Sequence, residues 1–264
     1  MRRWFCALVI AVATLQAATA VIAKPTTTVT VFAAASLSEA FREIGDLVEK
    51  EHPGWTVRFN FAGSNQLALQ ISNGAKADVF ASADLPWMQF VENRDWVSGA
   101  ARTFARNRMV TIVPRTNPAR IRSLRDLEKR GVKLVLAGEA VPAGQYSREV
   151  LRGLAEKPEY GEDFAKRTLA NLVSEEENVR AVVTKVQLGE ADAGFCYVTD
   201  ALGSAARYLK TFPIPDDVNV TAEYPIAVLK GAPSSDAARA FVDRVLSPEG
   251  QKILARYGFL TVGS

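Results

Sequence analysis

The stretch Val29 to Phe41 changes its hydrophobic period halfway along and so constrains the fold more than any other part of the chain. Thr28 to Ala35 is a short apolar, β-branched run, the pattern of a strand covered on both faces. From Leu37 the apolar residues fall at Leu37, Ala40, Phe41, Ile44, Leu47 and Val48, which is one face of a helix. A buried strand running straight into an amphipathic helix is the start of a βα unit. Ser36 stands at the junction, and Ser36-Leu-Ser-Glu39 has the S-x-x-E form of a capping box. Such a junction aims free backbone N–H groups and the positive end of a helix dipole at one point, a ready site for an anion.

The pattern repeats. Trp55–Phe61 alternates as a strand, Ala62-Gly-Ser64 turns it into a helix over Asn65–Ser72, and Ala77–Ser82 is a strand followed by a helix around Leu85–Asn93. The order βαβαβα implies a parallel sheet covered by helices. A second set follows. It has strands at Arg108–Pro114, Lys133–Ala137 and Ala193–Val198, with helices over Gln145–Ala155, Phe164–Leu169 and Asn178–Leu188. Tyr224–Leu229 reads as a strand whose Pro225 places it near an edge or a bulge. Ser234–Leu246 and Ser247–Tyr257 read as two closing helices with no sheet of their own, so they return to the first. The expected architecture is α/β with two lobes, each a mainly parallel sheet flanked by helices. The chain crosses over near Ala105–Arg108 and back near Ala222–Pro225. That assigns 24–106 plus 224–264 to lobe 1 and 107–223 to lobe 2.

Four junctions share one chemistry. Ser36 and Ser64 each stand where a strand meets a helix, Ala143 opens a helix after Val141-Pro142, and Val179 follows Asn178, the expected cap of another. Tyr197 ends a buried strand. In open parallel sheets the crevice lies beyond the carboxyl ends of the strands, where all five positions fall.

Arg2 and Arg3 followed by the apolar run Phe5–Leu15 and small residues read as a secretory signal peptide, residues 1–23. The formal charge is +3, and two of those charges are Arg2 and Arg3, so the remainder carries no basic excess that suggests nucleic acid. Cys196 is the only cysteine after residue 23 and reads as a small buried hydrophobe. The single histidine, His52, lies in a polar turn, and neither a zinc spacing nor a phosphate loop occurs. Asp78 and Asp84 read as groups that hold the third βα junction.

With Val31-Phe-Ala-Ala-Ala-Ser-Leu37, Ala77-Asp-Val-Phe-Ala-Ser-Ala-Asp84, Val141-Pro-Ala-Gly144, Asn178-Val-Arg180, Gly194-Phe-Cys-Tyr197 and Arg256-Tyr-Gly-Phe259 in order, the chain resembles the periplasmic molybdate-binding proteins of ABC importers. The resemblance runs from about Thr28 to the C-terminus and implies the type II periplasmic binding-protein fold, hinged at the two crossovers. It implies a monomer that captures molybdate, and tungstate with it, and passes the ion to a membrane permease with its cytoplasmic ATPase. The oxyanion would be held by Ser36, Ser64, Ala143 N–H, Val179 N–H and Tyr197. It implies no catalysis, no cofactor and no metal other than molybdenum within the bound anion. Gly63-Ser-Asn-Gln66 departs from a more hydroxyl-rich loop, and Cys196 replaces an aliphatic residue. Sulfate, phosphate or a small organic anion on the same frame is the alternative cargo. An enzyme on that frame is the alternative class, and a regulator's sensing lobe is disfavoured by the signal peptide.

Overall fold

The computed structural model describes residues 27–262, so the expected signal peptide lies outside the described residues. Along the chain come β1 (Thr27–Ala34), α1 (Ser38–Glu51), β2 (Trp55–Ala62), α2 (Ser64–Ser72), β3 (Val79–Ala81) and α3 (Leu85–Glu92). The long β4 (Arg102–Pro114) leads to β5 (Leu134–Ala137), α4 (Pro142–Ala155), α5 (Phe164–Leu169), β6 (Leu172–Glu176), α6 (Val179–Gln187), β7 (Ala193–Tyr197) and α7 (Val198–Leu202). The chain finishes with β8 (Leu209–Pro213), β9 (Thr221–Val228), α8 (Ser235–Leu246), α9 (Pro248–Arg256) and β10 (Leu260–Thr261).

The strands line up as β2-β1-β3-β9-β4-β7-β5-β6. Each lobe contains a parallel run, β2-β1-β3 in the first and β7-β5-β6 in the second. The crossover strands β9 and β4 are antiparallel to their neighbours and join the two runs. β4 belongs to both lobes. Arg102–Arg108 pair with β9, and Met109–Ile112 pair with β7. The expected strand at Arg108–Pro114 is therefore only the second half of β4. Its first half, Arg102–Asn107, runs as two polar, two apolar and two polar residues, so no alternation marks it locally as a strand. β9 is an interior strand, and Pro225 sits beside the register shift between Thr103 and Ala105, so the proline marks a bulge and not an edge.

The helices cover the sheet as their periodicity requires. Ala40, Phe41, Ile44 and Val48 of α1 are buried. Phe41 meets Phe104 at 5.5 Å and Phe241 at 5.6 Å between ring centroids, so one aromatic cluster binds α1, β4 and α8. Burying a side chain of that size stabilises the fold by about 1.5–3 kcal/mol. α9 starts at Pro248, and the Ser247 hydroxyl accepts the Gly250 N–H at 3.1 Å. It ends at Arg256, and two residues on stands Gly258, whose φ of 89° only glycine adopts readily. Asp78 does not hold the α3 junction. Its carboxylate accepts the Thr30 N–H at 2.7 Å and the Ser234 N–H at 2.8 Å, fastening β1 to the start of α8.

Candidate functional site

All five residues singled out in the sequence line one small recess between the two halves, at the carboxyl ends of the parallel strands. Among the described residues no charged side chain lines it.

On the first wall, Ser36 lies in a tight 3-10 turn between β1 and α1 and is 3 % exposed. The expected capping box is not formed. α1 begins at Ser38 behind Leu37, with no side-chain cap. The extra turn carries Ser36 off the helix start, and its hydroxyl lies 3.0 Å from the Tyr224 hydroxyl. Glu39 reaches instead across the cleft, where it accepts the Ser204 hydroxyl at 2.8 Å and sits 3.5 Å from Arg180. Ser64 is the first residue of α2, with Gly63 as the cap position, and is 1 % exposed. Its oxygen accepts the Ala83 N–H at 2.9 Å, which leaves the Ser64 proton free to donate elsewhere.

The second wall offers mainly backbone. Ala143 is the second residue of α4 and Val179 the first of α6, so neither N–H has an acceptor within its helix. The Asn178 side chain accepts the Ala181 N–H at 3.1 Å, capping α6 and leaving Val179 N–H to the recess. Tyr197 is 1 % exposed, and its hydroxyl has no hydrogen-bond partner among the described residues. Burial pushes this phenol well above its ordinary pKa, so it stays protonated and remains a donor. A buried hydroxyl with nothing to bond to is costly unless a ligand completes it.

A buried carboxyl stands behind each wall. Asp84 caps α3, accepting Trp87 N–H at 3.1 Å and the Ser82 hydroxyl at 3.0 Å, and burial raises it to about 6. Asp200 lies 3.0 Å from Arg180 Nε, and burial raises it to about 6 despite that cation. The walls also touch at the mouth. Trp87 Nε1 donates to the Ala140 carbonyl at 2.9 Å, and Gln66 Nε2 lies 3.4 Å from a Glu177 carboxylate oxygen. A Cβ on Gly63 would come within 2.7 Å of the Glu177 carbonyl oxygen, so this close approach needs glycine.

A family model for bacterial extracellular solute-binding proteins matches residues 29–260. The chain belongs to that family. Among solute-binding proteins of this kind, the molybdate-binding protein ModA of Mycobacterium tuberculosis is 41 % identical, the alignment covering 88 % of this chain and 84 % of that one. The Azotobacter vinelandii periplasmic molybdate-binding protein superposes with a TM-score of 0.78 at 19 % identity, covering 89 % of this chain and 100 % of that one. The M. tuberculosis sulfate-binding protein SubI gives 0.79 at 17 % identity over 89 % and 87 % of the two chains. At those identities the two structures establish the two-lobed α/β fold. No helix among the described residues of this solute-binding protein is long and apolar enough to cross a membrane.

Sequence reasoning missed Tyr224 and Ala83, the groups that hold the two serine hydroxyls, and Asn107, whose amide faces Tyr224. Tyr224 is 188 residues from Ser36, and nothing near either residue announces the contact. Only the position of Tyr224 at the second crossover hinted at it.

Proposed function

We propose that this solute-binding protein captures molybdate, and tungstate with it, in the recess and delivers the ion to the permease of an ABC importer. The observation that carries the reading is the donor set. Three hydroxyls and two helix-start N–H groups, drawn from both walls, surround a cavity without a charged side chain, and one of the hydroxyls is buried with no partner. A fully deprotonated tetrahedral dianion needs donors and offers no proton. Its charge is then offset by dipoles and charge-assisted hydrogen bonds in a water-poor site. The names of the relatives support molybdate as that dianion. The five contacts are Ser36, Ser64, Ala143 N–H, Val179 N–H and Tyr197, and molybdenum enters only within the anion. Capture of this kind involves no cofactor and no turnover.

In this reading residues 1–23 are removed on export, and the remainder works in the periplasm as a monomer. Lobe 1 (24–106 plus 224–264) and lobe 2 (107–223) hinge at the crossovers, and the anion favours the closed form because only that form brings both walls together. Titration calorimetry on residues 24–264 with molybdate, tungstate, sulfate and phosphate tests the reading. Tight binding of the first two alone is the expected result. Binding of sulfate or phosphate in their place would change the cargo, and silence from all four would overturn the oxyanion reading.

A further inference from the structure

A hydroxyl can donate or accept, so a site that admits only fully deprotonated anions must fix which way its hydroxyls point. For Ser64 the Ala83 N–H occupies one lone pair of the oxygen, so the hydroxyl proton points away from Ala83 and is available to the recess. For Ser36 the partner is Tyr224, itself a hydroxyl, and the 3.0 Å contact alone leaves the direction open.

Asn107 settles it. Its Oδ1 accepts the Arg108 N–H at 2.9 Å, which orients the amide and turns the NH2 group the other way. That NH2 donates to the Thr199 hydroxyl at 2.8 Å and faces the Tyr224 oxygen at 3.5 Å. The Tyr224 oxygen thus meets a donor on one side, and its own proton goes to the remaining neighbour, Ser36. Ser36 then accepts from Tyr224 and sends its proton into the recess. All three groups are buried, so water does not compete for these roles.

We propose that Tyr224, oriented by Asn107, is a positioning residue that holds the Ser36 hydroxyl as an obligate donor and thereby makes the site discriminate against protonated oxyanions. The proposal rests on the oxyanion reading above and adds to it a cause for rejecting hydrogen phosphate other than cavity size. Asn107 lies on β4 where pairing passes from one lobe to the other, and it bonds Thr199 two residues beyond Tyr197. The relay therefore connects the crossover to both walls.

The test is a double-mutant cycle with Tyr224→Phe and Ser36→Ala, read by molybdate and phosphate affinities at pH 6 and pH 8, with melting curves as the control for folding. Phenylalanine keeps the ring that meets Tyr197 at 5.7 Å and Phe259 at 5.5 Å, so the packing survives the change. Tyr224→Phe alone is expected to weaken molybdate binding roughly two- to tenfold, the effect of losing one neutral hydrogen bond. Phosphate should lose less, or gain, with the largest change at pH 6, where it carries more protons for a freed Ser36 oxygen to accept. In the Ser36→Ala background, Tyr224→Phe should have almost no further effect, because Tyr224 acts through Ser36. Equal losses for both anions at both pH values, effects that multiply, or a Tyr224→Phe variant that binds like wild type would each overturn the proposal. Wild-type protein that binds no oxyanion would instead overturn the reading beneath it.

Discussion

The two walls of the recess solve one problem with different materials. The first presents side-chain hydroxyls, Ser36 and Ser64, each tied to its own scaffold by a second hydrogen bond. The second presents backbone N–H groups at two helix starts and one phenol with no partner. A tied hydroxyl is aimed before the ligand arrives, but its loss also damages the scaffold. A backbone donor survives most side-chain replacements, and an untied phenol costs stability until the ligand comes. Binding and folding are therefore coupled on the first wall and opposed on the second.

Ser64→Ala should show the coupling at its largest. It removes a hydrogen bond to a charged ligand, worth about 1.5–3 kcal/mol, and strands the buried Ala83 N–H at a further cost of about 1–3 kcal/mol in stability. Calorimetry and melting should both move. Loss of affinity with an unchanged melt would break the contrast. Tyr197→Phe should do the opposite. Affinity falls by about 1.5–3 kcal/mol, while the ligand-free protein melts no lower than wild type, because an unsatisfied buried hydroxyl has gone. A lower ligand-free melt would show that the phenol has a structural partner.

Val179→Pro isolates a backbone donor. The first helical position tolerates proline, and Asn178 before it is already extended at φ −159° and ψ 168°. The helix should persist by circular dichroism, while affinity falls by up to about 1.5–3 kcal/mol. Affinity equal to wild type would remove Val179 N–H from the donor set.

The carboxyls behind the walls sharpen the comparison through pH. Asp84 has no cation beside it among the described residues, and burial raises it from 3.8 to about 6. The folded protein then holds more protons than the unfolded one between about pH 4 and pH 6, so this group's contribution to stability falls as pH rises through that window. Asp84→Asn keeps an acceptor for Trp87 N–H and should flatten that part of the stability profile. An unchanged profile would assign it to Asp200, raised to about 6 beside Arg180. The smallest effect belongs to the contact Glu39 makes across the cleft. Glu39→Gln weakens the contact with Arg180 and Ser204 and should speed ligand dissociation by no more than about fivefold, since partly exposed ion pairs contribute at most about 1 kcal/mol. An unchanged rate in stopped-flow would show that this contact does not hold the closed form.

What was legible in the sequence follows from range. The βα junctions were readable because a change of hydrophobic period and a small polar residue at the turn lie within a few positions of each other, and the site residues sit on those junctions. The Ser36 box was misread because S-x-x-E has the right spacing, yet a 3-10 turn takes up three residues before α1 starts. β8 went unseen because only Leu209 of its five residues is buried, so alternation had little to show. β10 is two residues long and has no pattern of its own. The partners of the site hydroxyls, Tyr224 with Ser36 and Ala83 with Ser64, depend on strand order, which one sequence does not encode locally.

Diffraction from crystals grown with molybdate, with data collected at the molybdenum absorption edge, tests the two-walled site most directly. One strong anomalous peak is expected in the recess, with oxygens in hydrogen-bond range of Ser36, Ser64 and Tyr197 hydroxyls and of Ala143 and Val179 N–H. A peak elsewhere, or one whose oxygens touch a single wall, would contradict the two-walled site.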